Sequence, residues 1–193
     1  MNAGGPLEST GSTPVQMSEP TVAGSRVLIV QPFLFTLSGS EVLSLELASA
    51  LLDSGAEVAI TSWGWSDELV EEASKLSGLR LLDLGSPDMD TYLDERVPDL
   101  VWINQGLVPR QFLGPLANET KFVFAHLSAF HPSEKPFVEE IEQNLASAVF
   151  FVSEETEQAF GELGLLEEIP AWRKHTLGNP APEGFHAIRR RPS

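Results

Sequence analysis

The chain has 193 residues, 42% of them apolar, and its 12 basic and 28 acidic side chains leave a formal net charge of −16. That length fits one domain with a sizeable core rather than two α/β domains of about 100–200 residues each, and the composition is that of a folded protein. The negative field disfavours nucleic acid as a partner, and the absence of cysteine excludes disulfides, thiolate metal sites and cysteine nucleophiles, which fits the cytoplasm.

Residues 1–25 hold neither a basic start nor an apolar run, so they read as a disordered tail rather than a signal peptide. No later stretch approaches the ~18 consecutive apolar residues of a membrane span, and the protein is expected to be soluble or at most peripheral to a membrane. From Arg26 onward, short β-branched or aromatic runs alternate with amphipathic stretches, which argues for βαβ units around a parallel sheet. RVLIVQ, from Arg26 to Gln31, is an almost continuous apolar run, as expected of a central strand covered on both faces. The following SGSEVLSLELASALLDSG has capping-box spacing at Ser38 and Glu41, a broad apolar face from Val42 to Leu52, and Gly55 as a C-terminal stop.

EVAITSW from Glu57 reads as a second strand, DELVEEASKL from Asp67 as a helix and LRLLDLG from Leu79 as a third strand. PDLVWIN from Pro98 is a fourth strand, and a short helical or irregular stretch around Pro109 to Leu116 leads to KFVFAHL from Lys121 as the fifth. EKPFVEEIEQNLA from Glu134 carries Phe137, Ile141 and Leu145 at helical spacing, while Glu139, Glu140 and Glu142 read as solvated surface. SAVFFVS is a sixth strand, EETEQAFGELG from Glu154 a helix, and KHTLGNP from Lys174 a short last strand. The result is an α/β fold: a three-layer, doubly wound Rossmann-like domain over residues 26–186, with a mostly parallel sheet of about seven strands and a basic tail at 187–193.

In such sheets ligands gather at the carboxyl ends of the strands. There the loop after the first strand places Ser38, Gly39 and Ser40 at a helix N-terminus, whose free N–H groups and dipole favour an anion or a sugar hydroxyl; a plain cap and turn account for the same residues. His126 ends the fifth strand near that rim, where an imidazole takes or gives a proton around neutral pH, and a structural histidine is the alternative. Trp63 and Trp65 follow the second strand and either stack on a sugar ring or pack at the edge of the core. His131, five residues past His126, fits no metal spacing. With no H-E-x-x-H, G-x-G-x-x-G, P-loop or G-x-S-x-G motif, no metal and no cofactor are expected.

Four segments, RVLIVQP with SGSEVLSLELASALLDSGAEVAI, PDLVWIN, ASAVFFVSEET and HTLGNPAPEGF, together resemble the N-terminal, acceptor-side domain of retaining GT-B glycosyltransferases in order and spacing, from Arg26 to Phe185. The resemblance implies that Gly39 is the loop glycine that lets substrate approach the backbone, that His126 is the rim histidine near the transferred sugar, and that Asn179 lies in the crossing toward a donor domain. The chain departs from the family at Ser38, where a second glycine is common, and at WINQ, where a histidine is common. A GT-B site lies between two domains, and the donor-binding one is expected to be absent because the chain stops at Ser193. The implied ligands are then a sugar or glycolipid acceptor, the implied partner is a separate donor-domain protein, and the chain alone is expected to be inactive. The alternatives are a non-catalytic binding module on the same fold and an unrelated small-molecule enzyme on a flavodoxin-like sheet.

Overall fold

The computed structural model describes residues 22–32, 39–104, 108, 113, 116, 118–127 and 132–177. The strands β1 (Arg26–Val30), β2 (Glu57–Ser62), β3 (Arg80–Asp83), β4 (Leu100–Asn104), β5 (Lys121–His126), β6 (Ala146–Phe151) and β7 (Lys174–Thr176) form one sheet in the order β3-β2-β1-β4-β5-β6-β7. Each neighbouring pair is parallel, so the expected mostly parallel sheet is wholly parallel among the described residues.

Parallel neighbours require a crossover over one face, and the right-handed sense of that crossover decides which face. From β1 the chain steps outward through β2 to β3, then returns past β1 and steps the other way through β4 to β7. The helices therefore divide. The first two, α1 (Gly39–Asp53) and α2 (Asp67–Ser74), cover one face, where Ala48 and Leu69 pack with Val27, Ile29, Val58 and Ile60. On the other face lie α3 (Pro87–Glu95), α4 (residues 135–145) and α5 (Glu154–Glu162), whose Met89, Tyr92, Phe137, Ile141 and Phe160 pack with Leu28, Val101, Phe122 and Phe124. The strand β1 is buried at every position, which is why its run carries no polar alternation.

Local signals set the helix ends. Gly55, at φ 84°, closes α1 in a Schellman arrangement, with its N–H bonded to Leu52 O at 2.9 Å and the Ala56 N–H bonded to Leu51 O at 3.0 Å. Ser66 and Ser153 cap α2 and α5 by accepting from the N–H groups of Leu69 and Thr156, both at 3.3 Å. The helix α3 was not anticipated from sequence, although Ser86 as cap and Pro87 in the first turn announce it. The helix expected from Glu134 is present with a different interior: α-helical turns at Lys135–Phe137 and Gln143–Leu145 flank a π-helical stretch at Val138–Glu142.

The amino end of the sheet is held by a buried arginine. Arg26, 1% exposed, has its Nε 2.9 Å from Glu57 and donates through Nη2 to Glu95 at 3.1 Å and through Nη1 to the Arg96 carbonyl. Its guanidinium lies 3.7 Å from the centroid of the Tyr92 ring, with that of Arg80 at 4.8 Å. Burial pushes the Tyr92 hydroxyl above its ordinary value. The hydrogen bond and charge of Arg80, and then those of Arg26, hold the Glu95 carboxyl below its own.

Replacing Arg26 by alanine is expected to destabilise the domain by about 3 kcal/mol in denaturant unfolding, because it strips partners from one carboxylate cluster and opens a void beside Tyr92. Glu95 has a folded value below its unfolded one, so its contribution is full above the ordinary carboxylate range and is lost as pH falls through the depressed value. Glu95→Gln should therefore lower the melting temperature at neutral pH, and the difference from the wild type should shrink as the pH falls below the ordinary carboxylate range and through the depressed value.

Candidate functional site

The point where the strand order reverses lies between β1 and β4, and their carboxyl ends open onto the N-terminus of α1. A buried polar chain ties these elements together. The Ser44 hydroxyl donates to Gln31 Oε1 at 3.2 Å and lies 2.9 Å from the Ser40 carbonyl. Asn104 Nδ2 donates to Ser44 Oγ at 2.7 Å, and Trp102 Nε1 donates to Asn104 Oδ1 at 2.6 Å. Gln31, Ser44 and Asn104 are all nearly inaccessible, so the network fixes where the first turn of α1 sits above the strand ends. Sequence reasoning reached Asn104 only as part of the WINQ segment and gave neither Ser44 nor Gln31 a role at the site; a polar residue at an inward helix position was the available signal.

Of the sequence-derived site residues, Ser38 lies outside the described residues, as do His131 and Asn179. Gly39 is exposed as the first residue of α1, and a Cβ built there meets no atom within 4 Å. The space beside its Cα is therefore unfilled. The Ser40 hydroxyl donates to Glu41 Oε2 at 2.9 Å within the same turn. Trp65 donates its indole N–H to Asp83 at 2.7 Å and packs against the α1-side core, the edge-packing alternative, whereas Trp63 stays 43% exposed after β2.

His126 is at the carboxyl end of β5, but its side chain is on the opposite face from α1. Asn104 faces α1 and is level with Ala125, so the next residue, His126, points the other way. It is 4% exposed, with its ring centroid 5.5 Å from that of Phe151 and 4.2 Å from that of Phe160. Its Nε2 is 2.8 Å from Glu142 Oε1, and Glu142 is completely buried. The sequence reading of Glu142 as solvated surface is therefore corrected. The wide π turn brings the residue five past Phe137 to the sheet, along with Phe137 and Ile141, while Glu139 and Glu140 remain exposed. The structure thus sets Gly39 and His126 on one rim, with the His126 side chain on the face opposite α1.

A glycosyltransferase from Rickettsia africae shares this chain's fold with a TM-score of 0.60 at 19% identity, over 88% of this chain and 47% of its own. The chain has the fold of half a glycosyltransferase. Anabaena Alr3699/HepE, solved in complex with UDP and glucose, matches with a TM-score of 0.58 at 12% identity over 86% of this chain and 49% of its own. The glycotransferase of kitacinnamycin matches with 0.50 at 14% identity, over 90% and 56%. This chain spans about half the length of these glycosyltransferases. No family model matches the sequence, and none of the curated proteins does.

Within this glycosyltransferase fold, the buried network at the switch point yields a stability test. Asn104→Ala removes two short hydrogen bonds, strands the Trp102 N–H and takes away the donor that Ser44 Oγ accepts from, so denaturant unfolding should report a loss of about 2–3 kcal/mol. Gly39→Ala, whose added methyl meets open space, should leave stability unchanged or slightly higher.

Proposed function

We propose that this domain is the acceptor-side half of a nucleotide-sugar-dependent glycosyltransferase, and that its rim at α1, β1, β4 and β5 binds the sugar or glycolipid that receives the transferred residue. The observation that carries this reading is the shared fold with glycosyltransferases, one of them holding UDP and glucose, over about half of their length. Two features of the chain itself support it. The space beside the Gly39 Cα, at the N-terminal end of α1 whose dipole favours a hydroxyl or an anion, leaves room for a hydroxyl-bearing ligand. At the same end of the sheet but on the opposite face, α5 begins with Glu154, Glu155 and Glu157, which occupy its positive end with carboxylates and leave little attraction for a pyrophosphate. The net charge of −16 acts in the same direction and favours a neutral glycan over an anionic donor. Donor binding is assigned to a second domain, and turnover to the two together.

A second reading, a non-catalytic binding module on the same fold, is favoured by one observation: His126 is buried, paired with Glu142 and on the far side of the sheet from α1. Calorimetric titration of the chain with neutral oligosaccharides, glycolipid headgroups and UDP-sugars separates the readings. An acceptor domain binds a neutral glycan without binding UDP-sugars, and His126→Ala weakens that binding about tenfold, as loss of one hydrogen bond does. Tight UDP-sugar binding contradicts the assignment, and glycan binding indifferent to His126→Ala turns it toward the non-catalytic module.

A further inference from the structure

Glu142 is the most unusual polar group of the domain. It is 0% exposed, it lies in a π-helical turn, and among the described residues its Oε1 lies 2.8 Å from His126 Nε2 while Oε2 has no hydrogen-bond partner. A buried carboxylate kept only for stability is normally satisfied at both oxygens, and π turns recur at functional sites. Where the carboxylate accepts this bond, its proton is on Nε2. The His126 ring is confined between Phe151 and Phe160 and keeps 5% side-chain exposure. Among the described residues no hydrogen bond engages Nδ1, which leaves it as the ring nitrogen that Glu142 does not hold.

Resting on the reading of His126 as a sugar-site residue, we propose that Glu142 is its positioning residue: the carboxylate fixes the Nε2 proton and the ring plane, and so presents Nδ1 at the end of β5 as the ring atom that meets a sugar hydroxyl. The arrangement parallels a carboxylate that orients a ligating or catalytic imidazole through the nitrogen away from the ligand. The ligand chemistry it selects is a neutral hydroxyl donor, because the unprotonated Nδ1 accepts a hydrogen bond. The π turn is then the structural means of placing Glu142, since a regular helix with Phe137 and Ile141 inward carries residue 142 toward the flank.

The test uses the chain labelled with 15N-histidine, long-range 1H–15N spectra of the His126 ring, and glucose as the added sugar. The wild type is expected to show the proton on Nε2 and a glucose-dependent shift of Nδ1. Glu142→Leu, similar in volume but without an acceptor, should give mixed tautomers and weaken glucose binding about tenfold, while Glu142→Gln, which keeps an acceptor oxygen in place, should restore both. An Nδ1-protonated wild type overturns the proposal even if Glu142→Leu fails to fold. Wild-type glucose binding by Glu142→Leu, when His126→Ala loses it, overturns the proposal alone. Glucose binding that survives His126→Ala overturns the sugar-site reading, and the proposal falls with it.

Discussion

Parallel pairing is the constraint from which the rest of this domain follows. Because no two neighbouring strands run in opposite directions, every connection must cross a face, and the reversal of strand order beside β1 assigns α1 and α2 to one face and α3, α4 and α5 to the other. The same reversal creates the single place where two adjacent strands send their chains apart, and the opening at their carboxyl ends is left to the N-terminus of α1. The two ends of the sheet then serve different purposes. The amino end concentrates charge in a closed cluster around Arg26 and Tyr92, whereas the carboxyl end carries the neutral chain Gln31, Ser44, Asn104 and Trp102.

Two separate polar systems meet the carboxyl rim, one on each face. The Ser44 and Asn104 network holds α1 over β1 and β4 with neutral groups that satisfy one another. The His126 and Glu142 pair lies under α4 and α5 among phenylalanines, with one carboxylate oxygen unsatisfied. The first has the character of a structural clamp, in which each donor finds an acceptor. The second concentrates polar groups in an apolar setting, which is costly and calls for a reason beyond packing.

Most of the fold was legible in the sequence because the strands are short apolar runs bounded by turn residues, and buried parallel strands carry that pattern strongly. The helix α3 was missed because PDMDTYLDE has little apolar content to betray it; only its cap and its proline do so. Glu142 was misread for a different reason. Periodicity reasoning assumes a constant turn, and a π stretch changes the turn where Phe137, Ile141 and Glu142 compete for the inward side. The candidate site was legible as a place but not as an arrangement: strand ends were predictable, but the face on which His126 points depends on register, which only the pairing of Asn104 with Ala125 fixes.

The measurement that bears most directly on the central claim is an amide-resolved NMR map of the chain titrated with glucose and, separately, with UDP. The account predicts glucose-dependent shifts clustered at Gly39, Ser40 and the carboxyl ends of β1, β4 and β5, with no comparable response to UDP. A response to UDP at that rim, or glucose shifts centred on the Arg26 end of the sheet, contradicts it.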